Sequence, residues 1–504
     1  MTPAAIELES EPVATALPYR ARAFNPAHAD LPRSTGLPAK LANEAYVEAL
    51  ARVIYYWAYA AVDQFGRHSM WDMLKQPGLI FGILPGAPMN MTGSLGDYLP
   101  PSQRFVVTPN NDTFYGPGFA DLGKEPAVIQ TPDNAPPGHY WTIQIVDAFS
   151  NVIHQIGSAS RTSAGKFLLA GPDWKGETPN GFLDILRMPT NYAGVFGRSF
   201  AAHTPEAKAR ARAVLNELGM YPLSMDKSGR HAFDGEAAAK NTFFPPGTTP
   251  ETLAADPDVF RPEWVVPARF WQDLKQILAA NPTVGPNDSA MADQARVLVA
   301  LYDASSEWRS LLDRVALEAE VALRDSAQYH QVGVDCGNGW QRQENGGVWG
   351  TDWFGRALAA RVYIYVNDYH EAVYLIRGTD AKGSLLDGNR HYTMTFPKNG
   401  LPPVDRSRGG FWSLTMYDKD YFMLPNPPNG RTNVGTVSLD ANELKFAVDG
   451  SLTIHLSHDQ PVDAASRANW LPAPDAQFAL IVRAYVPTEA LLDNTFALPN
   501  VLRV

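Results

Sequence analysis

Tyr140-Trp141-Thr142-Ile143-Gln144-Ile145-Val146-Asp147 and Phe411-Trp412-Ser413-Leu414-Thr415-Met416-Tyr417-Asp418 are two versions of one stretch, about 270 residues apart. Each follows a Gly/Pro-rich turn and alternates bulky apolar with smaller polar side chains at period two, the signature of a half-buried strand. Each ends on an Asp that can close the strand in an Asx turn. Downstream the match continues in the same order. Gly165 to Gly171 resembles Gly450 to Leu456, and Val195 to Phe200, with Arg198 inside, resembles Leu480 to Tyr485, with Arg483 inside. Three matched segments in one order predict two related β modules.

Around this repeat the expected fold is α+β: two β-sandwich, jelly-roll-like modules with a helical layer between and before them. Residues 1–36 are rich in Pro, Ala and Glu without periodicity and read as an extended arm. Residues 37–100 form a helical lead-in, with a helix from about Pro38 to Phe65 and an aromatic stripe that suits core packing. The first module covers 101–224 and opens on a strand end at Phe105 to Pro109. Residues 225–370 hold a connector and helices at Glu263 to Ala280, Ser289 to Leu323 and Asp352 to Tyr365. The second module covers 371–504, with a hairpin from Leu444–Val448 to Ser451–Leu456 turned at Asp449-Gly450. The Gly/Trp loop from Trp340 to Trp353 suits either an interdomain plug or a wall over a cleft.

Composition narrows the function classes. A net charge of -11 gives no basic face for nucleic acid. No apolar run approaches the length of a membrane span. Cys336 is the only cysteine, which removes intrachain disulfides and fits a reducing compartment. Met1 to Arg20 has no apolar run of signal length, so the expected address is cytoplasmic, or periplasmic if a leader has been removed. Aromatic-rich surface loops leave a homo-oligomer open.

Asn110 to Tyr115 followed by Tyr140 to His154 resembles the domain of unknown function numbered 1254. Leu401 to Val404, Phe411 to Asp418, Asn469 to Pro474 and Arg483 to Pro487 resemble its usual C-terminal companion, numbered 1214. The resemblance covers roughly residues 40 to 504. It implies two β-rich domains with helices between them, a bacterial spread and no single agreed reaction; many relatives look exported.

Polar residues at strand ends of a sandwich are where a rigid frame can meet a ligand. In the first module these are Asn110, Asn111, Asp112, Tyr115, Asp147, Asn151 and His154, with Arg198 on a neighbouring strand. Asp112 and Asp147 could divide the roles of acid and base, with His154 or Tyr115 as proton donor. Asn110, Asn111, Asn151 and Arg198 would then position a small ligand. The competing reading makes the Asn and Asp residues turn caps, and pairs Arg198 with Asp147 and Arg483 with Asp418 as buried structural ion pairs.

Asp112, Asp121, Asp147 and His154 could offer a divalent metal oxygen and nitrogen, but at no recognised spacing, and no cofactor is clearly implied. The sequence lacks a Gly-x-Ser-x-Gly elbow, a Walker loop and a Rossmann fingerprint. The expectation is therefore a hydrolase or lyase acting on a small organic or sugar-like molecule, with a non-catalytic small-ligand-binding or assembly protein as the alternative.

Overall fold

The computed structural model describes residues 43–227, 229–255, 263–328 and 333–504. The expected N-terminal arm lies outside the described residues. Eight strands build the first module: β1 (Thr113–Asp121), β2 (Ala127–Thr131), β3 (Trp141–Asp147), β4 (Val152–Gly157), β5 (Gly165–Ala170), β6 (Asp184–Arg187), β7 (Tyr192–Phe200) and β8 (Gly219–Pro222). Eight more build the second: β9 (Ala372–Arg377), β10 (Tyr392–Phe396), β11 (Phe411–Asp418), β12 (Asn433–Gly435), β13 (Leu452–Ser457), β14 (Trp470–Pro472), β15 (Phe478–Tyr485) and β16 (Val501–Arg503).

The pairing orders are β1-β7-β3-β4 with β8-β2-β5-β6, and β9-β15-β11-β12 with β16-β10-β13-β14, extended past β1 by Met91–Thr92 and past β9 by Gln341–Arg342 and Val334–Asp335. The second pair of sheets is the first pair moved on by eight strands. Even the exception repeats: β5 runs parallel to β6 and β13 parallel to β14, while the other pairs are antiparallel. In each module the two sheets pack face to face. Ile143 and Ile145 meet Ile129 and Leu169 in the first core, and Leu414 and Met416 meet Met394 and Ile454 in the second. The repeat read from sequence is thus a repeat of topology, and Trp141 and Trp412 occupy like places in like sheets.

Register makes the match exact to the residue. Thr142 faces Arg198 as Ser413 faces Arg483. Thr142 also faces Gly157 on β4, as Ser413 faces Gly435 on β12. At both glycines the neighbouring strand comes too close for a side chain. A Cβ at Gly157 would lie 2.5 Å from the Trp141 carbonyl oxygen, and one at Gly435 2.2 Å from that of Trp412. Gly435→Ala is therefore expected to lower stability by about 1–3 kcal/mol, as overpacking does. Urea unfolding should show a lower midpoint at unchanged slope, and an unchanged midpoint would mean the strands part freely.

Five helices gather into one bundle that covers both sandwiches. They are α1 (Glu44–Trp71), α2 (Phe270–Ala280), α3 (Ser289–Ala304), α4 (Ser306–Gln328) and α5 (Trp353–Val362). Their core joins Trp57, Trp271, Leu298, Val315 and Ala359 to Phe149 of the first module and Ile481 of the second. In the aromatic stripe of α1, Tyr55, Trp57 and Tyr59 are core, whereas Tyr46 is exposed.

Several boundaries differ from expectation. The first helix starts after its Asn43 cap and runs six residues past Phe65, to Trp71. The helix expected from Ser289 to Leu323 breaks at Ser305, which is extended (φ -154°, ψ 152°). Pro267, which lacks a backbone donor, opens a short 3-10 turn, and α2 proper begins only at Phe270. Phe105 to Pro109 and Leu444 to Val448 are loops rather than strands. Thr108 is left-handed (φ 46°), which a strand cannot accommodate. The Gly/Trp loop is a plug: Trp340 and Trp349 are buried, and the Trp349 indole N–H donates to the Ser150 carbonyl.

The modules meet across matched aromatics. Tyr140 and Phe411 hold equivalent places just ahead of the two tryptophans, and Phe200 and Tyr485 end β7 and β15. Phe411 stacks on Tyr485 with ring centroids 4.3 Å apart and lies 4.6 Å from Phe200 and 5.4 Å from Tyr140.

Candidate functional site

Beside that aromatic contact the two arginines of the repeat face one cleft. Arg198 on β7 sits opposite Tyr115 on β1, and Arg483 on β15 opposite Tyr374 on β9. All four line the cleft. The Arg198 guanidinium carbon lies 5.9 Å from the Tyr115 ring centre, and that of Arg483 6.0 Å from Tyr374.

Each arginine reaches out of its own module. Arg198 donates from Nη2 to the Tyr365 carbonyl (3.1 Å) and to Gln144 (3.0 Å), and from Nη1 to Asn367 (2.8 Å). Tyr365 and Asn367 lie in the segment that leads into β9. Arg483 donates from Nη2 to the carbonyl of Thr108 (2.6 Å), in the segment that leads into β1. Both gripped residues are left-handed, Thr108 at φ 46° and Tyr365 at φ 59°. That backbone is costly for a β-branched or bulky residue and persists only where surrounding contacts enforce it.

The cleft has a cavity volume of about 90 Å³. Its walls are largely apolar. Phe196 stacks on Tyr365 at 3.8 Å, with Phe119, Trp71 and Leu99 beside them. Arg67 of α1 also lines it, already neutralised by Asp63 through bonds of 2.8 and 3.3 Å. Three buried polar atoms on lining residues meet no protein partner: the Trp71 indole Nε1, Arg483 Nη1 and the Tyr365 hydroxyl.

The residues expected to form a site separate into three places. Asn110, Tyr115 and Arg198 line the cleft. The Asn110 backbone N–H donates to the Tyr115 hydroxyl at 3.0 Å. The knot Asn110-Asn111-Asp112 is a clasp across the modules, since Asn110 Nδ2 donates to the Tyr485 hydroxyl (3.1 Å) and Asn111 Nδ2 to the Thr432 hydroxyl (3.2 Å). Asn433 Nδ2 donates to Asp112 at 3.0 Å. Burial raises the Asp112 carboxyl above the usual carboxylate range. Asn111 and Asp112 do not line the cleft.

Asp147 and Asn151 belong to a second place, the corner where β3 meets the helices. Asp147 accepts from the Phe149 and Asn151 backbone N–H groups, both at 2.9 Å, in the expected Asx turn. The equivalent Asp418 accepts from Asp420 and Phe422 in the same way. Asn151 Nδ2 bridges Asp147 (2.9 Å) and Asp288 (3.1 Å), and Arg356 completes the cluster. Burial first, then the neighbouring Asp288 carboxylate, pushes Asp147 up to about 6.

His154 occupies the third place, on strand β4, with Nε2 3.0 Å from the Arg187 carbonyl; burial lowers its pKa. Asp112, Asp147 and His154 therefore do not converge.

The ion pairs expected of Arg198 with Asp147 and of Arg483 with Asp418 are not formed. Register explains it: Asp147 faces Ala193, while Arg198 faces Thr142, five residues away. Five residues of extended strand span roughly 17 Å. Sequence reading also missed Thr108, Tyr365, Tyr374 and Tyr485. One signal was there to use, because Tyr374 stands opposite Arg483 as Tyr115 stands opposite Arg198.

Among the described residues no group of three or more His, Cys, Asp and Glu could hold a metal ion, and no helix is long and apolar enough to cross a membrane. No curated protein matches the chain. The VPA0106 protein from Vibrio parahaemolyticus is 21% identical, with a TM-score of 0.58 over 91% of this chain and 100% of that one, so the two share a fold. An uncharacterised protein from Burkholderia cenocepacia is 11% identical, with a TM-score of 0.42 over 94% of this chain and 91% of its own. The family model described as a protein of unknown function (DUF1254) matches residues 89–222, and that described as a protein of unknown function (DUF1214) matches 371–489. Two sandwiches of one topology, read in chain order, are thus a DUF1254 domain followed by a DUF1214 domain, and the chain is a protein of that paired type.

Proposed function

We propose that the protein acts on a small organic molecule held in the cleft between its modules, as an enzyme of hydrolase or lyase type in which Tyr115 moves the proton. The observation that carries this reading is the cleft itself: a preformed, mostly apolar space with polar groups from both modules at its wall, the usual build of a small-molecule site. Tyr115 is the expected acid-base residue that lines it, and Arg198 beside it supplies a fixed positive charge for negative charge that develops on a ligand.

Asp147 and His154 have no part in this version, since the helix corner and strand β4 hold them. A second reading, a non-catalytic binder, draws on one observation: among the described residues lining the cleft there is no carboxylate and no imidazole.

Tyr115→Phe separates the two. A metabolite screen by thermal shift would first supply a ligand. For the enzyme, the variant should lose on the order of 10²-fold or more in turnover, as removal of a general acid or base does, with the melting temperature little moved. A wild type that binds the ligand and never converts it would sink the enzyme reading.

A further inference from the structure

We infer that the cleft takes an organic monocarboxylate, its apolar body against Phe196 and Tyr365 and its anionic end between Arg198 and Arg483. This rests on reading the cleft as a small-molecule site. The two guanidiniums are buried, 6% and 3% exposed, and come from equivalent strands. Neither has a carboxylate partner: Arg198 bonds to two side-chain amide oxygens and a carbonyl, and Arg483 to the Thr108 carbonyl and the Tyr417 hydroxyl. Arg483 Nη1 meets no protein acceptor at all. A buried guanidinium normally has its fork filled by an anion of matching shape, and a carboxylate provides two oxygens in the right geometry.

The surrounding charges do not fill this role. Arg67, which lines the cleft, is paired with Asp63, which does not. Glu371 accepts from the Tyr140 hydroxyl at 2.7 Å and is pushed up to about 7 by burial, while burial also raises Asp112. Neither acid lines the cleft, whose charged lining is Arg67, Arg198 and Arg483. Size limits the body of the ligand. With a cavity volume of about 90 Å³, the cleft suits a small molecule with a compact body. The unpartnered Tyr365 hydroxyl offers one further hydrogen bond.

The test is titration of the full chain at fixed ionic strength, by thermal shift and calorimetry, with benzoate and hexanoate against benzamide and hexanol, and with inorganic phosphate. The carboxylates should stabilise saturably and bind at least ~30-fold more tightly than their neutral partners. Arg483→Gln should weaken benzoate by at least ~30-fold, as loss of one member of a buried charge pair does, and Arg483→Lys should restore part of the loss. Should Arg483→Gln fail to fold, the acid-to-neutral ratio on the wild type decides alone. Equal binding of acid and neutral partners overturns the anion assignment and leaves the small-molecule site standing. Binding of phosphate alone overturns the organic body, and binding of none of the five probes overturns the reading of the cleft itself.

Discussion

Arg356→Met is expected to cost about 3–5 kcal/mol, the loss seen when one member of a buried ion pair is removed and the other stays charged. Arg356 and Asp288 side chains are 1% and 2% exposed and 3.1 Å apart. Arg356 also donates to Asn151 (3.0 Å) and to the Trp57 carbonyl (2.9 Å), while the Trp57 indole donates to Asp288 (2.8 Å). Methionine would leave Asp288 and Asp147 facing each other in a dry corner. The loss should depend on pH. Asp147 has a folded pKa near 6, above the usual unfolded value near 4, so the folded state holds more protons between the two and stability falls as pH rises through that window. Removing Arg356 takes away a neighbour that lowers this pKa, so the fall should grow and extend to higher pH. Chemical denaturation at pH 5 and pH 8 checks it: the variant should lose more at pH 8, and an equal loss at both would show that the corner's charge is not what Arg356 balances.

Phe411→Ala should cost about 3–5 kcal/mol, the usual range for a buried aromatic. Phe411 is 1% exposed, and its ring touches Tyr140, Phe200 and Tyr485 together. Those four rings hold the modules to each other, and Tyr485 also lines the cleft. The variant should therefore lose ligand stabilisation along with its own stability, measured as a smaller melting shift with whichever probe the wild type binds. Conversion to Leu, which restores volume without the stack, should recover part of the first loss. A variant melting within a degree of wild type would mean that the modules are held elsewhere.

Much of the architecture was legible because strand periodicity is a local property. The repeat from Trp141 to Asp147 and from Trp412 to Asp418 needed only alternation and a closing Asp, and both Asx turns formed. The site was less legible because it is made between modules. Asn110 to Asp112 looked like a ligand knot, yet their amides and carboxylate reach Tyr485, Thr432 and Asn433, more than 300 residues away. Asp147 and Arg198 looked like partners because they lie on adjacent strands; register places them at opposite ends. Tyr365 was expected to end a helix from Asp352, but that helix stops at Val362 and Tyr365 sits in the linker beyond it, left-handed.

The reciprocal grip of the arginines bears on how the chain is made. Arg198 must wait for a carbonyl 167 residues later, and Thr108 for a guanidinium 375 residues later. Modules emerging from a ribosome usually settle one by one, the N-terminal one first. Here the earlier sandwich leaves the exit tunnel with its central cation held by its own Gln144 alone, and maturation of either half completes only with the other. Recombination between relatives would meet the same bond: an exchanged half has to bring along the foreign linker that its own arginine holds.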